Sequence, residues 1–198
     1  MLDKDWKKDL FTIPNLLSLF RLLLIPVYVV LYLNADPERP EDYFIAAAIL
    51  AVSCLTDLID GKIARHFGMI SNAGKVLDPL ADKVTQFTLI VCLTIKYPIL
   101  LILIGLFVIK ESFQLIALFV FWRKGLALNG ALFSGKLSTT VLFLSLIILV
   151  LMPNIPVTAV YIITGIDFLF LTISFCDYIR AYCTRGPMIQ SLHEPNEK

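Results

Sequence analysis

Four aspartates, Asp57, Asp60, Asp78 and Asp82, interrupt stretches that are otherwise mostly apolar. On a helix, Asp57, Asp60, Gly61, Ala64 and Arg65 recur at i, i+3, i+4, i+7 and i+8, and Gly74, Asp78 and Asp82 at i, i+4 and i+8, so each set forms one stripe. The short connection between them predicts antiparallel neighbours whose stripes meet at one end. A single Asp at the centre of a membrane helix costs about 3 kcal/mol, so four in one region require cations or water. Hard oxygen donors at this density suit Mg2+ or Mn2+ and not zinc. An ion or proton pathway would also need buried carboxylates, but it has no need for this spacing. Gly61, Ala64 and Gly74 are small where a ligand could approach the backbone, although close helix packing explains small residues equally well.

The elements that must carry these residues are membrane helices. A chain of 198 residues that is 58% hydrophobic, with mean hydropathy +0.82, has more apolar surface than one soluble domain can hide. Bilayer-length runs of roughly 20 residues fit residues 15–33, 43–65, 74–96, 98–122, 137–152 and 157–179. The expectation is an all-α integral membrane protein with six transmembrane helices in one domain over 15–185 and a flexible polar tail over 186–198. Residues 1–14 place Leu2, Trp6, Leu10 and Ile13 opposite Asp3, Lys4, Lys7 and Lys8, the pattern of an amphipathic juxtamembrane helix, and Pro14 marks the turn into the first span. No small-residue cleavage site follows the first apolar run, so it is expected to stay.

Basic residues set the orientation. With the N-terminus in the cytoplasm, Lys62, Arg65, Lys75, Arg123, Lys124, Lys136, Arg180 and Arg185 all fall on the inner side, and Arg39 and Lys96 are the exceptions. Both termini are expected inside a cell membrane. The net charge of +1 carries little information, and no nucleic-acid partner is expected. Cys54, Cys92, Cys176 and Cys183 lack CxxC spacing and are read as packing thiols.

The acidic stretch, DLIDGKIAR, then eight residues, then GKVLDPLAD, resembles the signature of the CDP-alcohol phosphotransferase family, DxxDGxxAR followed by GxxxDxxxD, at every fixed position. A chance match falls roughly below one in a million at average residue usage. The resemblance implies six spanning helices, a juxtamembrane helix, often a homodimer, and transfer of a phosphatidyl group from CDP-diacylglycerol to an alcohol with release of CMP. It implies that Asp57, Asp60, Asp78 and Asp82 hold two divalent ions, Mg2+ or Mn2+, on the diphosphate. It further implies that Asp82 is the general base, and that Gly61, Ala64, Arg65 and Gly74 line the CDP-diacylglycerol site facing the cytoplasm.

The first span, IPNLLSLFRLLLIP, and the LDPLADK stretch are similar to those of bacterial phosphatidylglycerophosphate synthases, whose acceptor is glycerol 3-phosphate. A doubly charged phosphate in a membrane cavity needs cations, which nominates Lys110, Lys136, Arg123 and Arg21. Lys110 and Glu111 stand where such synthases have an Arg and Glu pair, and Gly135 and Lys136 resemble the start of their GKxKT motif. Ser138 replaces its second lysine, Leu142 a usual Gln, and Lys110 an arginine. These departures leave open a cardiolipin synthase with phosphatidylglycerol as acceptor, or an inositol phosphate or serine acceptor. The rivals from other classes are an intramembrane prenyltransferase and a nonenzymatic ion carrier or scaffold.

Overall fold

The computed structural model describes residues 13–36, 39–66, 74–123, 126–128, 132–183 and 189–191. The amphipathic helix expected over residues 1–14 lies outside them, apart from Ile13 and Pro14. These two open α1 (Ile13–Leu33), so Pro14 stands in a first helical turn, where its missing N–H costs no intrahelical bond. The other helices are α2 (Pro40–His66), α3 (Gly74–Lys96), α4 (Leu101–Arg123), α5 (Phe133–Leu151) and α6 (Val157–Cys183). Tyr97 breaks the chain between α3 and α4. Pro98 pushes the preceding residue out of the helical region, to φ −125° and ψ 83°, and then opens a short 3₁₀ turn, Pro98–Leu100.

The fold is helical and membrane-like. Among the described residues, four stretches are long and apolar enough to cross a bilayer: Asn15–Leu33, Pro98–Phe121, Phe133–Leu151 and Val157–Cys183. Helices α2 and α3 have the length, at 27 and 23 residues, but carry the charges that make the acidic motif. Apolar side chains of α1 such as Leu16, Leu19, Phe20, Leu23 and Val27 are exposed, as lipid-facing residues are. Two strands, β1 (Leu126–Leu128) and β2 (Ile189–Ser191), pair antiparallel with Leu126 opposite Ser191 and Leu128 opposite Ile189. This ladder departs from a purely helical expectation, and β2 falls in the stretch read as a polar tail. Three residues are too few to display a legible strand alternation.

The contacts divide the chain into two compact units, residues 1–96 with 147–154, and residues 97–146 with 155–198. In the first, α1 packs against both α2 and α3. Tyr28 stacks on Tyr32 at 5.7 Å, Tyr32 meets Tyr43 edge-on at 5.6 Å, and the small residues Ala46 and Ala47 are buried beside them on α2. Lys96, an exception to the expected charge placement, sits 4.7 Å above the ring of Tyr43, a cation–π contact.

In the second unit α4 packs on α6. Phe113 meets Phe175 and Tyr182 edge-on, and Phe121 lies 5.0 Å from Tyr182. Helix α5 approaches α6 closely at Gly135, where an added Cβ would stand 2.7 Å from Tyr178 Oη and 2.9 Å from its ring. Because Tyr178 is itself buried, the ring cannot simply swing away. We predict that Gly135→Ala lowers the thermal unfolding midpoint in detergent, by about 1–3 kcal/mol of overpacking, and that a Tyr178→Leu background removes most of that loss. An unchanged midpoint in the single variant would contradict this close packing.

Candidate active site

The acidic motif is divided between the C-terminal turns of α2 and the N-terminal turns of α3. Asp57, Asp60, Gly61, Ala64 and Arg65 are helical in α2, and Gly74 is the first residue of α3, but the side chains of these six lie outside the described residues. Asp78 and Asp82 are described fully. They stand one turn apart on α3, flanking Pro79, which deletes one intrahelical hydrogen bond early in that helix.

Both carboxylates are met by α1. Ser18 Oγ donates to Asp78 Oδ1, and Arg21 Nη1 donates to Asp82 Oδ1 at 2.6 Å. Ser18 and Arg21 are three residues apart on α1, as are Asn15 and Ser18, and all three are buried, Arg21 to 2% exposure. In a helix whose outer face is apolar, these residues make a polar inner stripe. The Asp82 side chain stays 47% exposed, so it is held from one side and open on another. One turn further into the unit the lining becomes apolar, with Leu24, Tyr28, Leu50 and Leu89 around a crevice that also includes Ser53 and Thr85.

Carboxylate and hydroxyl oxygens are the donors that hard divalent cations take, so the chemistry of Asp78 and Asp82 fits such an ion. Among the described residues no group of three or more ligating side chains gathers. Asp57 and Asp60, which would complete a set of four, have side chains outside that description.

A sequence model described as CDP-alcohol phosphatidyltransferase matches residues 11–173, which contain the whole acidic motif and all of α1. This chain belongs to the CDP-alcohol phosphatidyltransferase family. Within the family it is similar to the CMP-forming cardiolipin synthase of Streptomyces coelicolor, at 34% identity over 65% of this chain and 60% of that protein. It is 36% identical to a cardiolipin synthase (CMP-forming)/mitochondrial hydrolase fusion protein of Schizosaccharomyces pombe, over 56% of this chain and 18% of that one. It is also 40% identical to the CDP-diacylglycerol–glycerol-3-phosphate 3-phosphatidyltransferase of Escherichia coli, over 44% of this chain and 46% of that one. The matches thus cover less than two thirds of each of these relatives.

The four cations nominated for the acceptor differ in their surroundings. Arg21 belongs to the first unit and is engaged with Asp82. Lys110, Arg123 and Lys136 belong to the second. Lys110 is buried to 2% exposure, with Nζ 2.9 Å from Glu111 Oε1 and 3.3 Å from Gln114 Oε1, and it lies 5.9 Å from the Tyr178 ring centre. Arg123 is exposed at the end of α4, its guanidinium 5.2 Å above Phe119, as suits a headgroup anchor. Lys136 is exposed in the first turn of α5, where Ser138 and Thr139 both donate to the carbonyl of Gly135.

Three polar residues of these surroundings lie outside the set singled out from the sequence. Asn15 and Ser18 were legible as polar positions at i and i+3 before Arg21 in an apolar run. Asp167 was legible as an acid in the middle of the last span. It is 1% exposed on α6, accepts a hydrogen bond from Ser145 Oγ at 2.9 Å, and its Oδ2 has no partner among the described residues.

The pairing of Lys110 makes a direct prediction. Lys110→Ala leaves Glu111 without its cation, which should cost on the order of 3 kcal/mol and lower the unfolding midpoint in detergent. A variant as stable as the parent would contradict the pairing of Lys110 with Glu111.

Proposed function

We propose that this protein transfers the phosphatidyl group of CDP-diacylglycerol to an alcohol and releases CMP, with glycerol 3-phosphate as acceptor and phosphatidylglycerol phosphate as product. The observation that carries the reading is the coincidence of a family match over residues 11–173 with a complete acidic motif, two of whose acids are held by α1. The Escherichia coli relative, whose name gives glycerol 3-phosphate as acceptor, favours this alcohol. The Streptomyces coelicolor relative favours a second reading within the same chemistry, a cardiolipin synthase using phosphatidylglycerol. The prenyltransferase and carrier readings have no comparable support.

In this reading Asp57, Asp60, Asp78 and Asp82 together hold two divalent cations, Mg2+ or Mn2+. When bound, such ions neutralise the diphosphate and stabilise the charge that develops on departing CMP. Gly61, Ala64 and Gly74 leave room for the nucleotide against the helix backbones, and Arg65 meets its charged end. Asp82, half exposed and steadied by Arg21, accepts the proton of the acceptor hydroxyl as that oxygen attacks phosphorus in line. The cations nominated for the acceptor's phosphate are Lys110, Lys136, Arg123 and Arg21, of which Lys110 and Arg21 already face carboxylates. The protein is placed in the cell membrane with six spans, both termini and the acidic site on the cytoplasmic side, and acts as a homodimer. The less apolar motif helices α2 and α3, at 27 and 23 residues, supply the two spans beyond the four most apolar ones.

Purified protein in lipid vesicles, given CDP-diacylglycerol and a panel of alcohols, should release CMP with glycerol 3-phosphate and only with added Mg2+ or Mn2+. Release with phosphatidylglycerol alone would select the cardiolipin reading, and consumption of a prenyl diphosphate would end both. Asp82→Asn is expected to abolish turnover while CDP-diacylglycerol still binds, and wild-type turnover in that variant would remove Asp82 as the base. Lys136→Ala should raise the KM for glycerol 3-phosphate about tenfold, the worth of one charge-assisted hydrogen bond, with little change in kcat.

A further inference from the structure

We propose that Arg21 is a positioning residue that acts through Asp82, and that Ser18 does the same for Asp78, so that α1 sets the geometry of the acid pair on α3. The inference rests on the phosphatidyl-transfer reading and goes beyond it by removing Arg21 from the acceptor site.

Three observations converge. The only polar residues on the inner face of α1 before Leu24 are Asn15, Ser18 and Arg21, all buried. Two of them reach across to α3, and both land on motif aspartates: Ser18 on Asp78 and Arg21 on Asp82. Below that level the α1 face turns to Leu24, Ile25 and Tyr28, so the charged and small polar residues of this inner face are confined to the stretch opposite the acids. An ion pair serving only to join two helices has no reason to choose these two side chains.

The geometry also bears on what Arg21 does. A guanidinium with 2% exposure and a carboxylate at 2.6 Å has its charge already opposed, which weakens its claim on a second anion. What it fixes is the place of one carboxylate oxygen, in the way that partners behind ligating carboxylates and catalytic acids fix theirs. Loss of such a partner typically costs about 10–100-fold in ion affinity or turnover. Charge alone acts in the opposite direction, because deletion of a cation beside a carboxylate pair strengthens its pull on a divalent ion. The two roles therefore predict opposite signs.

Calorimetric titration of the purified protein with Mn2+, without nucleotide, reads that sign. Arg21→Gln is expected to weaken Mn2+ binding about tenfold or more, and Arg21→Lys, which keeps the charge and part of the contact, to recover part of it. In vesicle assays the same Arg21→Gln variant should lose kcat and keep its KM for the alcohol acceptor. Mn2+ binding that is unchanged or tighter in Arg21→Gln would overturn the proposal, as would a raised acceptor KM with kcat intact, which returns Arg21 to acceptor binding. If Arg21→Gln fails to fold, Ser18→Ala decides. It removes the contact to Asp78 without altering charge and should weaken Mn2+ binding several-fold, whereas wild-type affinity would sink the idea. Should the unmodified protein release no CMP with any alcohol, the phosphatidyl-transfer reading fails by itself while the Mn2+ titrations still judge the role of Arg21.

Discussion

Carboxylates placed in helices that also face lipid must be compensated within reach of their own oxygens, and α1 is the element that does this for Asp78 and Asp82. Arg21 is buried to 2% exposure, so losing the Asp82 carboxylate would leave its charge unopposed, and the polar inner stripe of α1 and the acidic stripe of α3 constrain each other. The outer face of α1 remains apolar and the inner face changes from polar to aromatic along its length. A helix built this way has one rotation and one depth at which both faces are satisfied. That requirement places α1 against α3 and supports the acids that carry the proposed chemistry.

The second unit meets the same constraint with shorter-range means. Lys110 is answered by Glu111 and Gln114 on its own helix, a local solution that a sequence can form without help from another element. Asp167 is answered by a single hydroxyl from α5. Aromatic packing between α4 and α6 and the glycine contact under Tyr178 supply much of the rest of that unit's fit. Membrane helices gain little from excluding water from each other, so close approach and interhelical hydrogen bonds must do more of the joining.

Much of the helical architecture could be read from the sequence, because runs of apolar residues at bilayer length have few alternative explanations. The boundaries moved where turn chemistry decided them: Pro40 starts α2 earlier than its apolar run, and Tyr97 with Pro98 resets the chain before α4. The acidic motif was legible because its spacing fixes which residues share a face. Its partners were not. Ser18 and Asp78 are 60 positions apart, and Arg21 and Asp82 are 61, so no local periodicity links them. From the sequence, Arg21 reads as one more cation for a phosphate, and the structure brings it to the Asp82 carboxylate. Lys110 is likewise joined to a carboxylate, that of the adjacent Glu111. The three-residue strands left no sequence signal at all.

The central claim is that α2 and α3 direct their aspartates to one shared divalent-ion centre. It is tested most directly by counting bound Mn2+ per chain by equilibrium dialysis, in the unmodified protein and in Asp57→Asn and Asp78→Asn. Two ions per chain, with the count or the affinity falling when either helix loses its acid, is the predicted result. Binding that depends on one helix and ignores the other would contradict a shared centre.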